Sequence, residues 1–263
     1  EDNTVNQKVA VRILEKLGCR VDAVANGREA VEALAQIAYD FVFMDCQMPE
    51  MDGYDATAAI RTREVATGTH IPIIALTANV MQGSRERCQQ AGMDDYVSKP
   101  VKSESLLEML RKWAPSAAGS APPSDAAASE TSTLAKQGLQ SALDAETFHA
   151  LKELCDDGDP TFLLSLIEPF IQDTVAHIDA LHAAIDTSNA AALERTAHTL
   201  KSSSGYIGAL GMAELCRTLQ TLGHAGSIPE AVPLVNQLAA EFERVRRALC
   251  RECATMRASS AEW

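Results

Sequence analysis

A stretch of Ala, Ser and Pro in the middle of the chain most constrains what this sequence can fold into. Residues 115–141 read PSAAGSAPPSDAAASETSTLAKQGLQS and contain almost no large apolar side chain. A segment of this composition cannot bury enough apolar surface to order itself, so we expect a flexible linker. The 263-residue chain then divides into a domain at 1–114 and a domain at 142–256, followed by a short tail at 257–263.

The composition of the chain argues against several classes of protein. Hydrophobic residues make up 46% and charged residues 22%, which is enough apolar surface for packed cores. A net charge of -13 disfavours nucleic acid or an anionic membrane as a partner. No apolar run reaches the ~18 residues of a membrane span. The seven Cys are scattered, which favours free thiols in a reducing cytosol, and the single CxxC pair of Cys250 and Cys253 is a weak metal signal.

The first domain alternates short apolar runs with helical patterns. Such runs, bounded by polar residues, predict strands buried on both faces of a parallel sheet. They lie at 20–24, 41–44, 71–76 and 96–98. Helix starts with capping-box spacing occur at Thr4, at Asn26 and at Ser105, although Ser103 could equally begin the last helix. Strands and helices in alternation predict a doubly wound α/β domain.

The second domain shows no convincing strand. Asp159-Pro160 is typical of a helix start, and the amphipathic run that follows contains Pro169, which should kink or interrupt the helix. Further helices are expected at about 189–204, at about 210–222 and from about 227 past Leu249, with a shorter one beginning at Asp144. This pattern predicts an antiparallel helical bundle.

Candidate catalytic residues of the first domain follow the predicted strands. Asp45, Thr77 and Lys99 each come directly after an apolar run, and Glu1-Asp2 precede the first helix. Sites in open α/β sheets form at the carboxyl ends of the strands. Carboxylates are hard oxygen ligands suited to Mg²⁺, and a carboxylate can become an aspartyl phosphate. A lysine and Mg²⁺ would neutralise the transferring group, so the set indicates phosphoryl transfer.

This domain resembles the receiver domain of two-component signalling. The matching motifs, in chain order, are Glu1-Asp2-Asn3 with Asn6-Gln7, Met44-Asp45-Cys46-Gln47-Met48-Pro49 through Gly53, Ala75-Leu76-Thr77-Ala78, and Tyr96-Val97-Ser98-Lys99-Pro100. The resemblance implies a flavodoxin-like parallel sheet of strand order 2-1-3-4-5. In the family the acidic pair ends the first strand, so we expect that this strand is missing here and that the chain is cut from a longer protein.

The resemblance also implies roles for individual residues. It implies a Mg²⁺ site with four oxygen ligands: Glu1, Asp2, Asp45 and the backbone carbonyl of Gln47. Asp45 would be the phosphoacceptor, Thr77 and Tyr96 the switch residues, and Lys99 the partner of the phosphate, with a cis bond to Pro100. A haloacid-dehalogenase-type phosphatase also uses a strand-end Asp, but it needs a second Asp at the position of Gln47.

A histidine in the second domain is the other candidate. His198 lies beside, not on, an apolar stripe, so we expect it to face solvent with Lys201 and with the small residues Ser202 and Gly205. Lys201 provides a cation where a phosphoryl group on His198 would need one. The remaining helical histidines lack this setting and are interpreted as solvated or core residues: His149, His177, His182 and His224.

This domain resembles a histidine phosphotransfer (HPt) domain. His198, Lys201 and Gly208-Ala209 match the family motif, and Ser202 stands where Gly is usual. The two resemblances together imply the C-terminal region of a hybrid sensor histidine kinase. We expect a phosphorelay: an upstream histidine kinase core, expected in the same native chain, phosphorylates Asp45, Asp45 passes the group to His198, and His198 passes it to a downstream response regulator.

Other functions remain open from the sequence. The chain contains no ATP-binding motif, so the parent protein rather than this segment would be the kinase. We expect the segment in the cytoplasm, without direct membrane contact, while the parent protein is a candidate for an inner-membrane anchor. One alternative is a non-catalytic adaptor in which the phosphorylated receiver masks or exposes the His198 face. Another is a metal-dependent phosphatase built on Asp45.

Overall fold

The computed structural model describes residues 1–78, 82–113, 142–155 and 160–260. The linker predicted at 115–141 lies outside the described residues, as does Asp159.

The first domain contains a parallel sheet in which the described strands are β1 (Val42–Asp45), β2 (Ile73–Thr77) and β3 (Asp95–Ser98), paired in that order. β2 is buried along its whole length, as its continuous apolar run predicts for a strand covered on both faces. Asp45 pairs with Leu76, and Thr77 pairs with Ser98. The strands therefore end at one edge of the sheet, and the predicted α/β class is confirmed.

The strand predicted at 20–24 is wrong. These residues form no strand in the structure. Among the described strands, β1 pairs with β2 and β2 with β3, so residues 20–24 have no strand beside them. Without a neighbouring strand, its N–H and C=O groups have no ladder to join, so the apolar pattern alone does not produce a strand.

Helices cover both faces of the sheet. Those of the described residues are α1 (Thr4–Lys16), α2 (Gly27–Gln36), α3 (Gly53–Thr67), α4 (Gln82–Ala91) and α5 (Ser103–Trp113). Asn3, not Thr4, caps α1, whereas the predicted cap at Asn26 accepts from the Glu29 N–H. α1 and α5 share a core with Ile74 and Leu76, and α2 to α4 share one with Ile73 and Ala75. Alternate residues of β2 thus face opposite layers.

The second domain is the predicted helical bundle. α7 (Thr161–Asp186), α8 (Ala190–Ile207), α9 (Leu210–Ala225) and α10 (Ile228–Ser260) each contact two of the others, and α6 (Ala145–Glu153) packs on α8. Short loops join α7 to α10, which makes successive helices antiparallel neighbours. α10 continues through 257–260, where the sequence suggested a tail. No helix among the described residues is long and apolar enough to cross a membrane.

α7 is not interrupted at Pro169. The helix begins at Thr161, with Pro160 in the N-cap position, and runs through the proline. Proline has no N–H, so the carbonyl of Ser165, four residues earlier, loses its usual donor within the helix.

The two domains pack against each other. α1 lies against α7 and α8, and Val5, Val9 and Ile13 belong to the same hydrophobic core as the bundle residues. The Val101 N–H donates a hydrogen bond of 2.9 Å to the hydroxyl oxygen of Tyr206. The loop that follows β3 is therefore held on α8.

Candidate functional site

A cluster of three carboxylates lies at the carboxyl edge of the sheet. Asp45 ends β1, Glu1 and Asp2 precede α1, and the ligand atoms of the three lie within 4.8 Å of one another. Hard oxygen donors of this kind fit Mg²⁺, and three carboxylates beside Lys99 leave an excess of negative charge that favours a divalent cation. The fourth predicted ligand is the carbonyl of Gln47, in the turn after Asp45, where the Gln47 N–H donates to Oδ1 of Asp45 at 3.1 Å.

Lys99 bridges two of these carboxylates. Its Nζ lies 2.5 Å from Oδ2 of Asp45 and 2.6 Å from Oε2 of Glu1, and its side chain is only 3% exposed. Burial by itself would lower the pKa of Lys99, but the charges of Asp45 and Glu1 outweigh it and raise the pKa. Lys99 is thus a permanent cation beside Asp45. Its bond to Pro100 is cis, as predicted.

Burial also changes the acidity of the carboxylates. It raises the pKa of Asp45 to about 6, with Lys99 opposing the effect and Glu1 adding to it. Burial, followed by the charge of Glu1, raises the pKa of Asp2. For Glu1 burial works in the same direction, but the Lys99 ammonium outweighs it and lowers the pKa. At neutral pH Asp45 is still mainly ionised, as a carboxylate nucleophile must be.

Of the two predicted switch residues, one lies at the end of its strand and the other lies within its strand. Thr77 is buried at the end of β2, at the edge that carries Asp45 and Lys99. Tyr96 lies within β3, opposite Ala75, and is half-buried. The guanidinium of Arg85 on α4 lies 5.5 Å from the Tyr96 ring centre. The structure therefore brings Thr77 to the acidic cluster and sets Tyr96 against α4.

His198 of α8 is half-buried, so the expected solvent exposure is wrong. The apolar stripe beside it is buried in the bundle as predicted: Leu193, Ala197, Leu200, Ser204 and Ile207. Ser202 and Gly205 are buried as well, and α1 of the first domain packs on α8. A Cβ placed on Gly205 would lie 3.8 Å from Pro100. The small residues of α8 therefore admit a partner domain, and the first domain occupies that space.

The covered position sets the charge state of His198. Burial lowers its pKa to about 4, and the cations of Lys201 and Lys99 add to this effect while Glu1 opposes it. His198 is therefore a neutral imidazole at pH 7, the form with a free nitrogen lone pair. Lys99 and Glu1 belong to the first domain, so the groups around Asp45 act directly on His198.

Gln220 on α9 was not predicted to belong to the site. Its Nε2 lies 3.1 Å from Nδ1 of His198, and its Oε1 accepts a hydrogen bond of 2.8 Å from Nζ of Lys201. The bond from Lys201 fixes which end of the amide faces His198. No sequence signal indicates Gln220, because it lies 22 residues beyond His198 and only the packing of α8 on α9 joins them.

These features define a class of signalling protein. Residues 1–111 match the family model of the response regulator receiver domain, and residues 165–248 match that of the Hpt domain. The chain thus contains a receiver domain followed by an Hpt domain, a pair that points to phosphorelay signalling.

Its curated relatives include hybrid histidine kinases. "Hybrid signal transduction histidine kinase B" of Dictyostelium discoideum is 43% identical over 122 residues, covering 43% of this chain and 6% of that protein. "Sensor protein GacS" of Pseudomonas syringae is 43% identical over 114 residues, covering 43% of this chain and 13% of that protein. The chain therefore spans only a small part of the length of the curated relatives it matches.

Solved structures of both domain types are similar to parts of the chain. The receiver domain of the sensor histidine kinase PA1611 from Pseudomonas aeruginosa, with a magnesium ion in its active-site cleft, is 50% identical, covering 43% of this chain and 91% of that chain, with a TM-score of 0.40. The phosphotransfer protein HptB from the same species is 32% identical, covering 42% of this chain and 93% of that chain, with a TM-score of 0.39.

Proposed function

We propose that this chain performs two consecutive steps of a phosphorelay, in which Asp45 receives a phosphoryl group and His198 takes it from Asp45. The observation that carries this proposal is the shared cation Lys99. Its Nζ lies 2.5 Å from Asp45, and its charge contributes to the low pKa of His198 across the domain contact. The charge of Lys99 thus acts on the nucleophile of each domain, Asp45 in the receiver and His198 in the bundle.

In the first step an oxygen of Asp45 attacks the phosphorus of a phosphohistidine. The P–N bond breaks, and its electron pair stays on the donor imidazole. Mg²⁺, held by Glu1, Asp2, Asp45 and the Gln47 carbonyl, would supply charge neutralisation for the transferring group. Lys99 contributes a second positive charge, and the Thr77 hydroxyl hydrogen-bonds the group after transfer. Thr77 and Tyr96 then report the phosphorylated state as the switch pair.

In the second step Nε2 of His198 attacks the phosphorus on Asp45. The P–O bond breaks, and its electron pair returns to the Asp45 carboxylate. With the Gln220 amide donating to Nδ1, the ring proton is on Nε2. When the phosphoryl group attracts Lys201 away from Gln220, the amide is free to turn so that its Oε1 accepts a hydrogen bond from an Nδ1–H; the Nε2 proton passes to solvent water and Nδ1 takes one up from water. The tautomer then has its lone pair on Nε2, where the new P–N bond forms.

The donor and the acceptor at the two ends of the relay are part of this proposal, and the similarity to hybrid histidine kinases supports the donor. Because the curated relatives are hybrid histidine kinases, we assign the donor to an upstream kinase core in the same native protein. The acceptor from His198 is an aspartate on a downstream response regulator. The seven cysteines are free thiols, which supports a reducing cytoplasmic location for this segment.

Radiolabel transfer tests the proposed order. The chain is incubated with Mg²⁺ and a radiolabelled acyl phosphate, and labelled peptides are mapped. We expect label on Asp45 and His198 in the unmodified chain, on neither residue in Asp45→Asn, and on Asp45 alone in His198→Gln. The exposed His224 on α9 provides the matched control, and His224→Gln should transfer normally. Label on His198 in Asp45→Asn would contradict the order.

A second candidate function is supported by the coverage of the His198 face. Gly205 is buried with Pro100 of the receiver domain beside it, so this domain masks the surface that a further partner would use. An adaptor of this kind would expose the face on phosphorylation of Asp45 without using His198 chemically. Signalling that persists in cells carrying His198→Gln would favour the adaptor over the relay.

A further inference from the structure

Three basic side chains of α1 donate hydrogen bonds to backbone carbonyls of the second domain. Lys8, Arg12 and Lys16 are four residues apart and so share one face of the helix, which we name the basic stripe. Nζ of Lys8 lies 2.8 Å from the carbonyl oxygen of Ser165, and Nε of Arg12 lies 3.0 Å from that of Leu154. The stripe thus reaches two separate segments of the bundle.

Two members of the stripe bind the carbonyl end of α6. Lys16 donates to the carbonyl oxygens of Glu153 at 2.7 Å and Cys155 at 3.2 Å, on either side of the Arg12 contact with Leu154. The last carbonyls of a helix have no donor within the helix and carry the negative end of its dipole. Basic side chains therefore complement this helix terminus in both hydrogen bonding and charge.

The Ser165 carbonyl is available for a different reason. It lies inside α7, where the N–H of residue 169 would normally be its donor, and Pro169 has no N–H. The carbonyl is thus open to a donor from outside the helix, and Lys8 supplies one from the other domain in a solvent-exposed contact. A proline in the bundle thus creates an acceptor that a basic residue of the receiver domain fills.

We propose that the basic stripe selects which receiver domain docks on the bundle, and that the four carbonyls of Glu153, Leu154, Cys155 and Ser165 are its docking site. This inference rests on the proposed function, because selection matters only if His198 exchanges phosphoryl groups with receivers. The partner that fits is a receiver whose first helix carries Lys or Arg at the three stripe positions. The chain's own receiver meets this requirement.

The net charge of the bundle also favours docking of a basic surface. Residues 142–256 contain 8 basic and 16 acidic residues. An excess of acidic groups attracts a basic surface during encounter and discriminates against receivers with an acidic first helix. A downstream response regulator that takes the place of this receiver on α8 must present the same stripe to the same carbonyls.

Amide exchange at Val101 tests the docking contact without phosphoryl chemistry. Its N–H donates to Tyr206 across the domain contact, so its exchange rate reports separation of the domains. We expect Lys8→Met and Lys16→Met each to raise this rate in the full chain by about two- to tenfold. Arg63→Met is the matched control, because Arg63 is also an exposed cation donating to a carbonyl, that of Val31 within the receiver domain.

A double-mutant cycle tests the role of the proline. Pro169→Ala supplies the missing donor to Ser165 inside α7, so Lys8→Met should have a smaller effect in that background, whereas the effect of Lys16→Met should be unchanged. Equal rates at Val101 in the unmodified chain, Lys8→Met and Lys16→Met would overturn the stripe. If Pro169→Ala reduced the effects of Lys8→Met and Lys16→Met equally, the Ser165 carbonyl would not be the specific acceptor for Lys8. If label failed to reach His198, the relay would be refuted, but the amide exchange rates at Val101 would still test the basic stripe.

Discussion

Removing the hydroxyl of Tyr206 would delete one defined hydrogen bond between the two domains. The side chain is only 3% exposed, and its oxygen accepts the Val101 N–H at 2.9 Å. Tyr206→Phe removes this one atom and leaves the ring in the bundle. In the docked state the Val101 N–H then has no acceptor, whereas in the separated state water replaces it.

Tyr206→Phe should reduce the free energy of docking and leave the folding of either domain almost unchanged. A buried donor left without an acceptor loses about 1–3 kcal/mol. The docking equilibrium should therefore fall by about 5- to 150-fold, since each 1.4 kcal/mol is about a factor of ten. The free energy of unfolding of the bundle should change little, because the lost bond is made to the other domain.

Titration of the His198 imidazole by NMR measures this change. The docked receiver helps to hold the pKa of His198 at about 4 through burial and through the charge of Lys99. Once docking is weak enough that the protonated chain separates, each tenfold loss should move the apparent pKa by up to one pH unit towards its ordinary value. Tyr39→Phe is the matched control, because that hydroxyl donates to Asp22 within the receiver at 2.7 Å.

An unchanged His198 pKa together with an unchanged amide exchange rate at Val101 in Tyr206→Phe would contradict this prediction. The prediction also fails if Tyr39→Phe shifts this pKa as much, because the effect would then belong to any lost tyrosine hydroxyl.

Three further predictions concern packing, pH and a buried ion pair. Gly205→Ala should fit, because its Cβ would lie 3.8 Å from Pro100, and it should stabilise α8 by about 1 kcal/mol. Gly205→Leu should instead block label transfer to His198, because the larger side chain would collide with Pro100. Label transfer in the Leu variant would contradict this packing. Because His198 has a pKa lowered to about 4, unfolded chains bind its proton first, and stability should fall between about pH 6.5 and pH 4. Urea denaturation should show a loss of about 2 kcal/mol at pH 5 that is absent in His198→Gln. Arg61→Met should destabilise the receiver by about 3 kcal/mol, because the Arg61 guanidinium lies 2.7 Å from Asp94 and donates to two carbonyls; a loss below about 1 kcal/mol in urea would exclude this role.

The sequence was informative where function depends on the ends of regular elements. Asp45 and Thr77 each end a strand, and Lys99 follows one, so the alternation of strand and helix was enough to predict that they share an edge. The strand predicted at 20–24 was wrong, because a strand exists only with a neighbour to pair with. Gln220 was missed for a related reason, since no local pattern links it to His198.

Periodicity, helix caps and the order of motifs are short-range properties, and these alone fixed the two fold classes, the acidic cluster and the pairing of His198 with Lys201. The burial of His198 and the docking of α1 on the bundle came only from the folded chain. The physical reason lies in the acceptors of the basic stripe. Lys8, Arg12 and Lys16 bind backbone carbonyls, which are the same in every residue and leave no mark in a sequence. Pro169 does reveal that the Ser165 carbonyl lacks a donor, but only the packing of α1 against α7 shows that Lys8 provides it.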